Sequence, residues 1–230
     1  MTAASETNIG NEYLSFIGDK AFPCIAAKAA LGHDQIRILV CDHIACPKDD
    51  RAILQFLYDF IDDYRTKATL YNSAVVIFES PSECSEGEFD ALMWQRLQCI
   101  SNCDAALHPW DGRVSSDPSD AGFSFSIKEE AFYILGLHPG SSRKARRFKY
   151  PALVFNPHLQ FEQLRESDRY SIMKETVRKR DMAFSGSVNP MLSDFGQSSE
   201  AFQYSGRVYD KEWKCPFVSN HEKHQPHSPT

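Results

Sequence analysis

Residues 122–137, "GFSFSIKEEAFYILGL", decide the fold that this sequence predicts. The apolar runs 122–127 and 131–137 each have the length and composition of a strand, and only Lys128, Glu129 and Glu130 separate them. A connection this short joins strands in a hairpin, so we expect antiparallel pairing here. The segment "YPALVFNPH" (150–158) predicts another short strand, which Pro157 ends.

The first half of the chain has a different pattern, in which helices and strands alternate. A helix ending at Gly32 is followed by segments in which apolar residues recur at strand and helix spacing. The predicted elements are helix 21–32, strand 35–42, helix 49–64, strand 73–80 and helix 86–103. Parallel pairing in this half and a hairpin in the second half together predict a mixed α/β fold: one compact domain with a central mixed sheet flanked by helices.

The C-terminal third begins with helical sequence and then becomes irregular. Residues 159–184 predict two helices, the second capped by Ser167. Residues 185–217 are rich in loop-forming residues but contain many aromatic side chains, so we expect them to pack on the domain as a long C-terminal segment. The predicted domain spans 1–217, and 218–230 is predicted to be a disordered tail, in which His221, His224 and His227 are solvated.

Composition limits the class of protein. The chain has 230 residues, 42% of them hydrophobic, and a formal net charge of -6, which argues against nucleic acid as a partner. The N-terminus shows neither the basic start nor the apolar run of a signal peptide, and no apolar run is long enough to span a membrane. We therefore expect a cytoplasmic protein whose seven cysteines are free thiols.

The stretch "GLHPGSSRKARRF" (136–148) is the strongest candidate for a binding site. On a helix, Arg143, Arg146 and Arg147 would share one face, and Ser141 and Ser142 are good capping residues. Converging guanidinium groups suit phosphate, carboxylates or the propionates of a haem. The alternative is a solvated basic surface after a turn.

Two kinds of residue could ligate a metal. His138, His108 and His158 each stand beside a proline at the end of a predicted element, although a lone histidine in such a place is more often a core residue. Cys24 follows Pro23 near a helix start, where the helix dipole favours a thiolate; its alternative role is that of a small buried apolar residue.

Acidic residues near the C-terminus could accept a cationic group. Glu200 and Asp181 both lie in mixed polar and aromatic sequence. Either could bind a positively charged ligand, or simply pair with Arg207 or Arg180.

Several motifs in order resemble one family. "FPC", "HPW", "FSFSI", "LHPGSSRKARRF", "FNPHLQFEQLR", "QYSGR" and "WKCPF" extend from about residue 20 to 217. This combination is similar to that of the YqcI/YcgG family. Members with a known activity are haem-dependent N-oxygenases that hydroxylate nitrogen in amino-acid-derived substrates, among them an arginine Nω-hydroxylase, lysine N-oxygenases and a pre-guanitoxin N-hydroxylase.

The resemblance implies a haem b monooxygenase that uses O2 and an external electron donor, or peroxide, on a guanidine or amine substrate of natural-product biosynthesis. A redox partner is implied with the external donor. The rival interpretations are a haem-binding protein without turnover and a haem-free enzyme that binds a phosphate ligand at the basic segment.

The resemblance also suggests roles for particular residues. His138 is the first choice for the iron ligand and Cys24 the rival, with His108 and His158 behind them. Propionates would pair with the arginines and serines of the basic segment. The catalytic candidates are Glu200, Asp181 and Tyr204. The candidates for substrate binding are Asn189, Asp194, Gln203 and Arg207.

Overall fold

The fold is built on one five-stranded mixed sheet. A computed structural model of the chain describes residues 3–67, 69–165, 169–186, 191, 196–210 and 212–221. The strands are β1 (Ile36–His43), β2 (Ser73–Ser80), β3 (Phe125–Ile127), β4 (Glu130–Leu137) and β5 (Ala152–Pro157), in the spatial order β1-β2-β5-β4-β3. β1 and β2 are parallel, and every other neighbouring pair is antiparallel. The predicted mixed α/β fold is confirmed.

Helices cover both faces of this sheet. They are α1 (Ala3–Gly18), α2 (Ile25–Gly32), α3 (Asp50–Lys67), α4 (Glu86–Asp104), α5 (His158–Arg165), α6 (Arg169–Ser185) and the short α7 (Ala201–Tyr204). Five of these, α2 to α6, follow the predicted helical segments. α1 was not predicted, and α7 lies in the segment 185–217 that was expected to be irregular. None of the helices in the described ranges is both long and apolar enough to cross a bilayer. Ser167, the expected cap of α6, lies outside the described residues.

The predicted hairpin of β3 and β4 is present, but its turn has two residues rather than the three that were expected to separate the strands. Ile127 pairs with Glu130, so that only Lys128 and Glu129 lie in the turn. Both have positive φ, at 50° and 56°. Positive φ at both central residues is characteristic of a type I′ turn, whose twist matches the twist of the two strands that it joins.

Side chains along β4 alternate between two different surroundings. Phe132 and Ile134 belong to a core cluster shared with α3 and α4, while Leu137 belongs to a second cluster shared with α1. This alternation follows from the two-residue period of a strand. The α4 face and the α1 face of the sheet are therefore separate environments, and the candidate site lies on the α1 face.

The aromatic C-terminal segment packs on α4, as expected. Trp94 of α4 contacts the rings of Tyr204, Trp213 and Phe217 at centroid distances of 5.7–6.3 Å. The segment also continues further than predicted. Gln98 hydrogen-bonds the backbone of Val218, and His221 Nε2 lies 3.1 Å from the buried carboxylate of Asp104. The expectation of a free tail beginning at 218 was thus wrong as far as His221.

Candidate functional site

A cavity of about 250 Å³ lies on the α1 face of the sheet. β2, β4 and β5 form its floor, and α1, α2, α5 and α6 supply walls. Most of the lining is apolar, including Ile17, Leu135, Leu137, Val154 and Leu164. Ligand pockets typically measure about 300–1,000 Å³, and an apolar cavity of about 150 Å³ holds benzene. The cavity in its present shape therefore suits one small organic molecule.

Cys24 lines this cavity at the start of α2. It is the N-cap residue, and its Sγ accepts a hydrogen bond from the backbone N–H of Ala27 at 3.4 Å. Burial raises the pKa of this thiol, and the N–H groups of Ala27 and Ala26 act in the opposite direction. Cys24 thus presents a soft sulfur donor, protonated near neutral pH, at the wall of an apolar cavity.

An ion pair between Arg143 and Asp181 forms another part of the wall. Both side chains are 11% exposed, and Asp181 also accepts a hydrogen bond from Ser185 Oγ at 2.9 Å. The cavity therefore has a positive and a negative group side by side, with little exposure to solvent.

The basic segment does not form the helix that we expected. Only the 3-10 turn Lys144–Arg146 is present, so Arg143, Arg146 and Arg147 do not share a helical face. Arg147 donates to the carbonyl of Ser141 at 2.7 Å, and the backbone and hydroxyl of Ser142 donate to Glu86. These groups bind other parts of the same chain, and the prediction of three converging guanidinium groups was wrong.

Arg146 is buried and holds the segment against α7. Its NH1 donates to the carbonyls of Gly136 at 3.3 Å and Tyr204 at 2.7 Å, and its NH2 donates to Gln203 O at 2.8 Å. Burial lowers the pKa of this guanidinium. Arg146 touches the cavity, yet these donors already have partners within the protein.

His138 lies on the α4 face of the sheet rather than at the cavity. Its ring stacks on Phe89 at a centroid distance of 4.3 Å, and its Nδ1 is 3.8 Å from Sγ of Cys84. Burial lowers its pKa to about 4, so the imidazole is neutral at pH 7. Of the first two candidates for the iron ligand, Cys24 therefore lies at the cavity and His138 does not.

The other histidine candidates are also away from the cavity. His108 makes an edge contact with Tyr58, and His158 lies 3.5 Å from Glu200 and 3.6 Å from Glu162. Within the described ranges, no three His, Cys, Asp or Glu side chains cluster as a metal site would require. A haem iron needs only one or two protein ligands, so a single donor such as Cys24 is enough.

Four of the predicted catalytic and substrate-binding residues lie near the aromatic core: Glu200, Gln203, Tyr204 and Arg207. The hydroxyl of Tyr204 accepts a hydrogen bond from Phe125 N at 3.0 Å and lies 3.4 Å from Glu200 Oε2. Gln203 Oε1 accepts from Tyr133 OH at 2.9 Å. Arg207 lies 3.8 Å from Asp90 on α4. Among the predicted catalytic residues, Asp181 is the one that lines the cavity, and Asn189 and Asp194 lie outside the described residues.

Polar residues on the cavity floor were missed in the sequence. Ser73 Oγ donates to Asn156 Oδ1 at 2.7 Å, and Asn156 Nδ2 donates to Tyr133 O at 3.2 Å. Gln160 from α5 also lines the cavity. The available signal was the strand period: in β5, Asn156 is two residues from Val154, so both face the cavity.

Comparisons with known proteins agree on one family. The sequence profile of the YqcI/YcgG family matches residues 13–218. A Bacillus subtilis (strain 168) protein named uncharacterized protein YqcI is 29% identical over 214 residues, which cover 88% of this chain and 83% of that protein. Uncharacterized protein YcgG of the same organism is 29% identical over 216 residues, covering 87% and 83%. No solved structure gives a significant match.

Proposed function

Because the chain belongs to the YqcI/YcgG family, we propose that it is a haem-dependent N-hydroxylase that oxygenates a guanidine or amine nitrogen of an amino-acid-derived substrate. The observation that carries the proposal is the combination of a soft sulfur donor, apolar walls and a buried ion pair around one cavity. Bound haem b would supply the activation of oxygen, with electrons from an external donor or with peroxide.

The residues at the cavity fit such a cofactor in their chemistry. Cys24 would ligate the iron, because it is the sulfur donor on the cavity wall, whereas His138 is stacked in the α4 core. Coordination to a metal removes the proton of a thiol. The backbone N–H groups of Ala27 and Ala26 would then stabilise the thiolate. Arg143, which pairs with Asp181, contributes a guanidinium to the cavity wall that would also attract an anionic group.

Haem and substrate together need more room than about 250 Å³. The floor of the cavity is a hydrogen-bonded sheet, so it resists expansion. α6 is held to the rest of the cavity through side chains, including the Arg143–Asp181 pair and the hydrogen bonds from Arg180 to the backbone of Lys20 and Phe22. We therefore propose that loading with haem widens the cavity on the α6 side, while the hydrogen bond from Gln160 to Asn72 keeps α5 in place.

The chain itself would bind and orient the substrate. Asp181 would hold a cationic nitrogen, and Arg143 would hold a carboxylate, since the two opposite charges stand side by side as they do in a zwitterionic amino acid. The apolar walls would exclude water, which strengthens both interactions.

The phosphate-binding alternative has less support. It relied on free guanidinium groups in the basic segment, but Arg146 and Arg147 donate to backbone carbonyls of their own chain. Binding of haem without turnover shares the same cavity, and product formation distinguishes it from the proposed activity.

The test is to purify the protein with added haem precursor and then supply L-arginine or L-lysine with a reductant and O2, or with peroxide. The proposal predicts a Soret band that survives gel filtration and an N-hydroxylated product by mass spectrometry. A Soret band without product on any guanidine or amine would leave a haem-binding protein without turnover. A protein that cannot be loaded with haem would refute the proposal.

A further inference from the structure

Gln160 carries a buried hydrogen-bond acceptor that nothing in the described chain satisfies. The residue is 3% exposed and lines the cavity. Its Nε2 donates to the backbone carbonyl of Asn72 at 3.1 Å. A carbonyl can only accept, so this contact fixes which end of the amide faces Asn72. The other end, Oε1, is buried and has no hydrogen-bond partner among the described residues.

The neighbouring polar groups of the cavity do have partners. Ser73 and Asn156 bond to each other, and the hydroxyl of Tyr133 bonds to Gln203. The carboxylate of Asp181 accepts from Arg143 and from Ser185. Gln160 Oε1 differs from these groups, since it accepts no hydrogen bond from the described residues. A buried polar atom without a partner is uncommon in a native protein and calls for an explanation.

We propose that Gln160 Oε1 accepts a hydrogen bond from an N–H donor of the bound substrate and so selects ligands with a terminal guanidine, ureido or amine group. The inference rests on the proposed function, because it requires that the substrate binds in this cavity. A ligand with an N–H group at this position satisfies the orphaned oxygen. An apolar chain of the same length leaves it unsatisfied, and a site built to hydrogen-bond its ligand rejects such an analogue strongly.

This role is separate from that of the ion pair. Arg143 and Asp181 would bind the carboxylate and the ammonium group that every zwitterionic amino acid has. They do not distinguish one side-chain end from another. Gln160 is neutral and lies on α5, whereas Asp181 lies on α6. We therefore assign Gln160 as a specificity-determining residue for the side-chain end of the substrate.

The experiment measures binding by calorimetry to the full chain, with and without loaded haem. The probes are L-arginine, L-citrulline and L-norleucine, which has the amino-acid head group but no side-chain N–H. Gln160→Met removes the acceptor at similar volume, and Gln160→Glu keeps an acceptor oxygen while also losing the donor to Asn72. Comparing the two variants separates the free oxygen from the bond to Asn72.

We expect Gln160→Met to weaken L-arginine and L-citrulline binding at least tenfold and to change L-norleucine binding less than twofold. Gln160→Glu should retain L-arginine binding and favour it over neutral L-citrulline. The inference would be overturned if Gln160→Met weakened the binding of all three probes equally, or if it left L-arginine binding unchanged. It would also be overturned if the wild type bound none of the three probes. The haem proposal is judged separately, by the Soret band and the product. If Gln160→Met does not fold, the arginine-to-citrulline ratio in Gln160→Glu decides.

Discussion

Arg146 donates a hydrogen bond to the backbone carbonyl of Tyr204 at 2.7 Å, which ties the basic segment to α7. Two residues after Tyr204, the backbone requires glycine at position 206. There φ is +82°, and an added Cβ would lie 2.7 Å from the Arg146 side chain. Arg146 is therefore part of the fold at this point, rather than an open anion-binding group.

The first prediction concerns the stability that this arginine provides. Arg146→Met leaves the carbonyls of Gly136, Gln203 and Tyr204 without their donor, and each buried unsatisfied group costs about 1–3 kcal/mol. We expect the free energy of unfolding to fall by about 3 kcal/mol, measured by urea denaturation. The matched control is Arg51→Met at an exposed site of α3, which should change stability by less than about 0.5 kcal/mol. Equal effects of the two substitutions would contradict this assignment.

The second prediction separates the two roles of Cys24. Serine is among the preferred N-cap residues, so Cys24→Ser should keep α2 intact and change the free energy of unfolding by less than about 1 kcal/mol. The same substitution removes the soft sulfur donor. In the haem-loaded protein, we expect it to abolish the red-shifted Soret band of the ferrous carbonyl form that is typical of thiolate ligation.

Two control variants accompany this measurement. Cys103→Ser, at an exposed position, should leave the carbonyl spectrum unchanged. His138→Asn should also leave it unchanged, because His138 is stacked on Phe89 in the α4 core. A spectrum that changes with His138→Asn and not with Cys24→Ser would make His138 the iron ligand.

The third prediction concerns the buried pair of Arg143 and Asp181. Removing one partner takes away the opposite charge beside a largely buried group, so Arg143→Met or Asp181→Leu alone should lower the free energy of unfolding by about 3–5 kcal/mol. The double variant should lose less than the sum of the two single losses. An exposed pair on α3, Lys67 and Asp63, provides the control cycle, with an expected coupling of about 0.5 kcal/mol. Strict additivity at Arg143 and Asp181 would mean that the two charges are not coupled.

The fourth prediction is a pH dependence that originates at His138. Its pKa falls from an ordinary value near 6.5 to about 4 because the ring is buried. Between these values the unfolded chain binds the proton that the folded chain rejects, so stability is complete above pH 6.5 and is lost as the pH falls towards 4. The loss due to this group approaches about 3 kcal/mol at pH 4.

His138→Asn should remove the part of the pH dependence of stability that is due to His138. The difference in unfolding free energy between wild type and variant should therefore change between pH 7 and pH 4. Using the difference cancels the carboxylates that also titrate at low pH. A flat difference for His138→Asn would show that burial does not depress the pKa of this histidine.

The fifth prediction concerns the C-terminal segment. His221 and Tyr58 both bond to the carboxylate of Asp104, which is fully buried. A chain that ends at Phe217 loses this contact of His221 and the backbone bonds of Val218. We expect it to unfold at a lower temperature than a chain that ends at His221. Identical melting temperatures would show that residues 218–221 do not stabilise the domain.

Local signals were sufficient to predict most of the fold. The strands β1, β2 and β5 and the helices α3 and α4 follow directly from apolar periodicity, and the short spacing around Lys128 and Glu129 predicts the hairpin. α1 was missed because its sequence is largely polar, although Ile9, Tyr13 and Ile17 recur every four residues and are all buried.

The site could be predicted only in part, because its contacts join distant parts of the chain. The residues of the basic segment were recognised, but the acceptors of Arg146 are carbonyls of α7, which no local pattern specifies. Gln160 gave no signal of its own, since its orphaned oxygen exists only once α5 packs beside Asn72. The place of Cys24 at a helix start was predicted, whereas its place at a cavity depends on the tertiary fold.

The alternation of side chains along β4 and β5 has an evolutionary consequence. Leu135, Val154 and Asn156 face the cavity, while Ile134 and Phe155 face the aromatic core on the other side of the same strands. Mutations at every second position can therefore reshape the binding surface while the scaffold underneath is inherited unchanged. Two descendants of one ancestor could share this architecture and still diverge in what they recognise.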